Sequence, residues 1–134
     1  MRYDDFVAHV QSRAALASAD EAVRAIGATL RTLGERLLAE DAHRLAEELP
    51  PELGRYLEEV ASGQEFDTDG FFARVSEREG VDISEATDHA RVVLEVLRRA
   101  VPPGVIDRVQ TRLRGQYGPL FLGVGKGHTP GGRR

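Results

Sequence analysis

The chain has no cysteine and no tryptophan, a single lysine, and only 6% aromatic residues among its 134. Without cysteine there are no disulfides, no thiolate nucleophile and no Cys-ligated zinc, so the available chemistry is that of carboxylates, histidine, hydroxyls and arginine. The few aromatics offer no stacking platform for single-stranded nucleic acid. No apolar run approaches the roughly 20 residues that cross a bilayer. The opening Met1-Arg2-Tyr3-Asp4-Asp5 lacks the apolar stretch and small-residue cleavage site of a secretory signal. The expectation is a water-soluble cytoplasmic protein with no membrane association. Strand-like alternation of useful length is also missing, which argues against a sheet.

Arginine and acidic residues dominate what is present. Seventeen of the 18 basic residues are arginine, Lys126 being the exception, a bias expected of a GC-rich bacterial genome. The formal net charge of −4 conceals an asymmetry: residues 1 to 85 carry 19 acidic and 9 basic side chains, residues 86 to 134 carry 3 acidic and 9 basic. Such a separation of charge can steer association with a partner or a second copy.

The sequence also repeats itself. Residues 22 to 57 align with residues 86 to 121 at a constant offset of 64, in pattern more than in identity. Ile26, Leu30, Leu33 and Leu37 match Ala90, Leu94, Leu97 and Val101, the spacing that lays one apolar stripe along a helix. Ala42, Leu45 and Leu49 then match Ile106, Val109 and Leu113, and Leu53, Tyr56 and Leu57 match Tyr117, Leu120 and Phe121. Upstream, Phe6 to Val10 correspond to Phe71 to Val75. The central helices share a start signal, Ser18-x-x-Glu21 and Asp82-x-x-Glu85, in which the first side chain caps the helix and the glutamate reaches back. Pro50-Pro51 and Pro102-Pro103 mark helix boundaries, since proline lacks a donor and restricts the residue before it.

These signals predict helices near 3–15, 19–39, 41–49, 51–61, 68–79, 83–101, 103–114 and 116–122. The expected fold is all-α: a tandem duplication of a unit of about four helices, residues 3–61 and 67–122, packed about a pseudo-twofold axis as one domain over 1–122. Gly27 and Gly34 inside the first central helix each cost about 1 kcal/mol relative to alanine, which predicts a close helix crossing. The Gly-rich segment 123–134 reads as a flexible tail.

The ordered set Tyr3-Asp4-Asp5-Phe6, Ala28-Thr29-Leu30, Leu33-Gly34-Glu35-Arg36-Leu37, Leu45-Ala46-Glu47-Glu48-Leu49-Pro50, Arg78-Glu79-Gly80-Val81-Asp82 and Ala90-Arg91-Val92-Val93-Leu94 resembles the bacterial DUF2267 family over roughly residues 3 to 122. Such proteins tend to repeat a Leu-Pro ending in the second unit, where this chain has Leu113-Arg114. The resemblance implies a helical protein and supplies no activity, cofactor or catalytic residue.

No catalytic, cofactor-binding or metal constellation emerges from the residues. Glu40-x-x-His43 has the spacing of a di-iron bundle ligand pair, but Gly104 to Asp107, its counterpart in the second unit, has no histidine. Glu85 lies one turn from His89 and could orient that ring, a pairing that reads as a solvated ion pair. Gly123-Val124-Gly125-Lys126-Gly127 lacks the Ser or Thr and the flanking strand and helix of a phosphate loop. What stands out is a basic patch: Arg91, Arg98, Arg99, Arg108, Arg112 and Arg114 as candidate contacts to a partner or to phosphate. The expected function is a non-enzymatic helical interaction module whose basic face meets an acidic face of another protein or of a second copy. The alternatives are a nucleic-acid-associated protein acting through those arginines, and a ligand-binding or enzymatic protein with a site between the repeats.

Overall fold

The computed structural model describes residues 1–112, and these form seven helices without a strand. They are α1 (Tyr3–Arg13), α2 (Ala19–Arg36), α3 (Ala39–Glu47), α4 (Pro51–Glu58), α5 (Thr68–Glu79), α6 (Ile83–Ala100) and α7 (Pro103–Arg112). The expected helix over 116–122 and the tail lie outside the described residues.

Local chemistry explains where the helices start. Ser18 Oγ accepts from the Glu21 N–H at the head of α2, and Asp82 Oδ1 accepts from the Glu85 N–H at the head of α6. Glu21 reaches back to the Ala17 N–H, one residue before the cap. Asp67 caps α5 in the same way through Gly70 N–H, and Pro51 and Pro103 open α4 and α7. At the end of α5, Gly80 has φ +79°, the left-handed conformation that glycine adopts without a Cβ penalty, and this turns the chain directly into α6.

Helix α2 sits at the centre and touches α1, α3, α4, α5 and α6. Its buried residues cover most of its circumference, from Ala22 and Ile26 to Leu33 and Glu35. Where α2 meets α4, Gly34 makes the predicted close crossing: a Cβ there would run into the Leu57 carbonyl. Helix α6 packs on α1, α2 and α5, while α7 rests on α3. The segment between α4 and α5 returns to the end of α2, where Gly63 N–H donates to the Leu37 carbonyl at 2.7 Å and Gln64 N–H to the Glu35 carbonyl at 2.8 Å. Orphan carbonyls at a helix end are thereby satisfied. The buried apolar side chains from Phe6 to Val109 form one cluster to which all seven helices contribute.

Two polar ties cross this core. Glu35 of α2, 9% exposed, receives Arg78 Nη1 and Nη2 at 2.8 and 2.6 Å and Arg74 Nη1 at 3.0 Å, both from α5. Arg78 also donates to Thr32 Oγ1 at 2.9 Å, and the Arg74 guanidinium lies 3.9 Å from the centre of the Phe66 ring. The hydrogen bonds from Arg78, joined by that of Arg74, hold the Glu35 carboxyl below its usual pKa in spite of burial. The second tie joins α5 to α6 through Glu79 and His89.

Candidate functional site

Helix α5 buries Phe71, Phe72 and Val75, and the same face continues to Glu79 in its last turn. Helix α6 buries Ala86, Ala90, Val93 and Leu97, and His89 falls among them. The left-handed Gly80 folds the two helices against each other, so that His89 Nδ1 stands 2.5 Å from Glu79 Oε2. The pair is almost wholly enclosed: Glu79 is 5% exposed and His89 9%.

Glu85, the candidate partner of His89, is exposed on the first turn of α6. Glu85 and His89 are neighbours along one helix, but His89 points inward between α5 and α6, where Glu79 waits. The sequence signal that could have found the pair is an acidic residue and a histidine each placed on an otherwise apolar stripe.

The dyad opens on a cleft of about 370 Å³ lined also by Leu16, Glu21, Arg24, Val81 and Glu85. One wall is the α1–α2 turn, Ala14 to Ala17, in which Ala15 has φ 54°. A non-glycine residue in that region is strained by about 1 kcal/mol or more. Glu79 is incompletely satisfied: Oε1 has no hydrogen-bond partner among the described residues. Burial pushes its carboxyl above the usual range, against the lowering by the His89 hydrogen bond and Arg24, with Glu85 adding a smaller upward push. Because Glu79 engages Nδ1, Nε2 is the ring nitrogen left over, the arrangement by which a carboxylate orients an imidazole.

The arginines singled out in the sequence are spread over two helices. On α6, Arg91 is exposed and 5.7 Å from the Phe72 ring centre, Arg98 is exposed, and Arg99 Nη2 lies 3.4 Å from Glu95 Oε2. Arg91 and Arg98 are seven residues apart and so share a face. On α7, Arg108 is exposed; Arg112 is the last residue of the helix, and Arg114 lies outside the described residues. Arg98 and Arg108 make no ion pair among the described residues. By contrast Arg13 meets Glu95, Arg31 meets Glu59, and Arg74 and Arg78 meet Glu35.

His43, the histidine of the Glu-x-x-His spacing, is exposed and faces Glu58 through Nδ1 at 2.7 Å and Glu47 through Nε2 at 3.3 Å. The Glu58 hydrogen bond, then the charges of Glu47 and Glu58, raise its pKa. Among the described residues no three His, Asp or Glu side chains gather as a metal ligand set, and no helix is long and apolar enough to cross a membrane.

No curated protein matches the chain, so no named relative lends it an activity. A family match covers residues 3–120, which takes in all seven described helices, and the chain therefore belongs to the family described as uncharacterized conserved protein (DUF2267).

Proposed function

We propose that this protein is a non-enzymatic helical interaction module of the cytoplasm, in which the basic face of its second unit docks on an acidic protein surface. The observation that carries the reading is the charge asymmetry, residues 86 to 134 carrying 3 acidic and 9 basic side chains. Within that excess Arg98 and Arg108 are exposed with no ion pair among the described residues; Arg2, Arg44 and Arg55 are also exposed and unpaired, but stand in the acidic first unit. Exposed guanidinium groups add little to the stability of a monomer and act instead on partner choice and encounter rate.

The occupant we infer is a second copy, through α3 and α4, where the exposed Glu40, Glu47, Glu48, Glu52 and Glu58 outnumber the exposed Arg44 and Arg55. The reading includes a duplication of units 3–61 and 67–122 in one domain, with a pseudo-twofold relation between them. It is supported by the equal 18-residue lengths of α2 and α6, by their matching side-chain caps, and by the contact between them.

Sedimentation or light scattering of the full chain at low and high salt tests this. Association that weakens steeply with salt and falls at least tenfold in the Arg98→Glu, Arg108→Glu double variant is expected. A strictly monomeric, salt-indifferent protein overturns the self-association reading. Retardation of duplex DNA, lost in the same variant, would replace it with the nucleic-acid reading.

A further inference from the structure

The cleft beside Glu79 carries a reading independent of the basic face. A buried acceptor left without a donor is costly, more so when it is charged. Phe72 and Val75, on the same stripe of α5, show what an apolar residue at this position would do for the core. Glu79 instead offers one oxygen to His89 and keeps the other unpartnered and shielded from solvent, while the residue lines an open cavity. Around it stand Glu21 and Glu85 against the single cation Arg24, so the cavity is acidic when His89 is neutral. The remaining wall is apolar: Ala14 to Ala17, with Leu16, and Val81 opposite. The volume of about 370 Å³ lies within the roughly 300–1,000 Å³ of small-molecule sites.

We propose that this cleft binds a short aliphatic monoamine, whose ammonium group draws the Glu79 carboxyl toward the cavity and donates to Oε1 while its alkyl chain lies against Leu16 and Val81. The ammonium supplies the donor that the carboxylate lacks, and its charge matches the acidic lining. In this state Glu79 is ionised and accepts from His89 Nδ1–H through Oε2. Arg24 at the rim repels a second ammonium, which selects a monoamine over a diamine. Since no three-ligand set is present among the described residues, a divalent ion is not the natural occupant.

The groups that face the bound ammonium are Glu79 from α5, Glu21 and Arg24 from α2, and Glu85 and His89 from α6; the α1–α2 turn contributes none. Burial favours the neutral form of Glu79. Binding is therefore expected to weaken on acidification, as the carboxylate takes up its proton.

The test is a titration of the full chain with n-butylammonium, 1-butanol and butyrate at constant ionic strength, read on the assigned ring protons of His89 by NMR. A saturable shift with n-butylammonium alone is expected. Affinity should fall at least tenfold in Glu79→Gln and about threefold in Glu85→Gln, a loss set by the charge nearest the site. Glu85 is exposed, so its variant keeps the test decisive should Glu79→Gln fail to fold. No saturation up to about 10 mM, an equal response to 1-butanol, or amine affinity unchanged in Glu85→Gln would each overturn the proposal.

Discussion

Glu35 and Glu79 are the same side chain in nearly the same degree of burial, 9% and 5% exposed, and the fold treats them in opposite ways. Glu35 faces two guanidinium groups, Arg78 forking onto both of its oxygens and Arg74 adding a bond to Oε1, and its carboxyl is held ionised. Glu79 faces one imidazole, keeps an orphan oxygen, and is pushed toward its neutral form. Charge-assisted, two-point bonds to arginine repay much of the desolvation of a carboxylate; a single bond to histidine does not. The first arrangement is a clamp between α2 and α5. The second leaves one buried acceptor without a donor among the described residues. Burial of an acid alone therefore does not separate a structural tie from a binding group, whereas its remaining hydrogen-bond capacity does.

The largest expected effect is at the clamp. Glu35→Ala strands Arg74 and Arg78 around a vacated position and is expected to lower stability by about 3 kcal/mol, measured by urea unfolding. A loss below about 1 kcal/mol would make the two glutamates equivalent and break the comparison.

Arg78→Ala is expected to cost about 2 kcal/mol. It removes the two-point partner of Glu35 and the donor to Thr32 Oγ1, while Arg74 remains. Thermal unfolding of Arg74→Ala beside it should show the smaller loss, since Arg74 makes one bond to Glu35.

The pH dependence sharpens the contrast because the two groups shift in opposite directions. Glu35 has a folded pKa below its unfolded value, so its contribution is present above the ordinary carboxylate range and is lost as the pH falls through the folded pKa. The stability gap between the native chain and Glu35→Ala should accordingly narrow on acidification below about pH 4. Glu79 has a raised folded pKa, so its contribution is full below the unfolded value and is lost as the pH rises through the folded one. The difference between the native chain and Glu79→Gln should move in favour of Gln as the pH rises. Denaturation series from pH 3 to 8 on all three proteins check both signs, and parallel curves would contradict them.

The smallest effect is Glu79→Gln itself at neutral pH. The amide oxygen still accepts from His89 Nδ1–H, and no charge has to be buried, so a gain of at most about 1 kcal/mol in calorimetry is expected. A loss of several kcal/mol would mean that Glu79 is as structural as Glu35.

Much of the helical framework is legible in the sequence. Ser18 and Asp82, each three residues before a glutamate, place the starts of α2 and α6, because a helix leaves its first N–H groups unbonded and those side chains supply acceptors. Pro51 and Pro103 place α4 and α7, and Gly34 signals the close crossing that the Leu57 carbonyl explains. Helix ends are less legible: α2 stops at Arg36 instead of continuing to 39, since Leu37 turns to extended backbone where the linker at Gly63 and Gln64 docks. The basic residues are visible as a set, but composition does not say that Arg98 and Arg108 stay unpaired among the described residues while Arg78 is clamped. The cleft escapes the sequence because Glu79 and His89 belong to different helices, and a helix-neighbour rule favours Glu85 instead.

The sequence by itself determined that this is an α-helical chain, which residues begin its helices, and which stripes they bury, because capping, proline geometry and apolar periodicity act over a few residues. Only the tertiary structure decided which buried charges meet. That outcome depends on how α2, α5 and α6 approach one another, and on the left-handed turn at Gly80 that carries Glu79 to the inward face of α6.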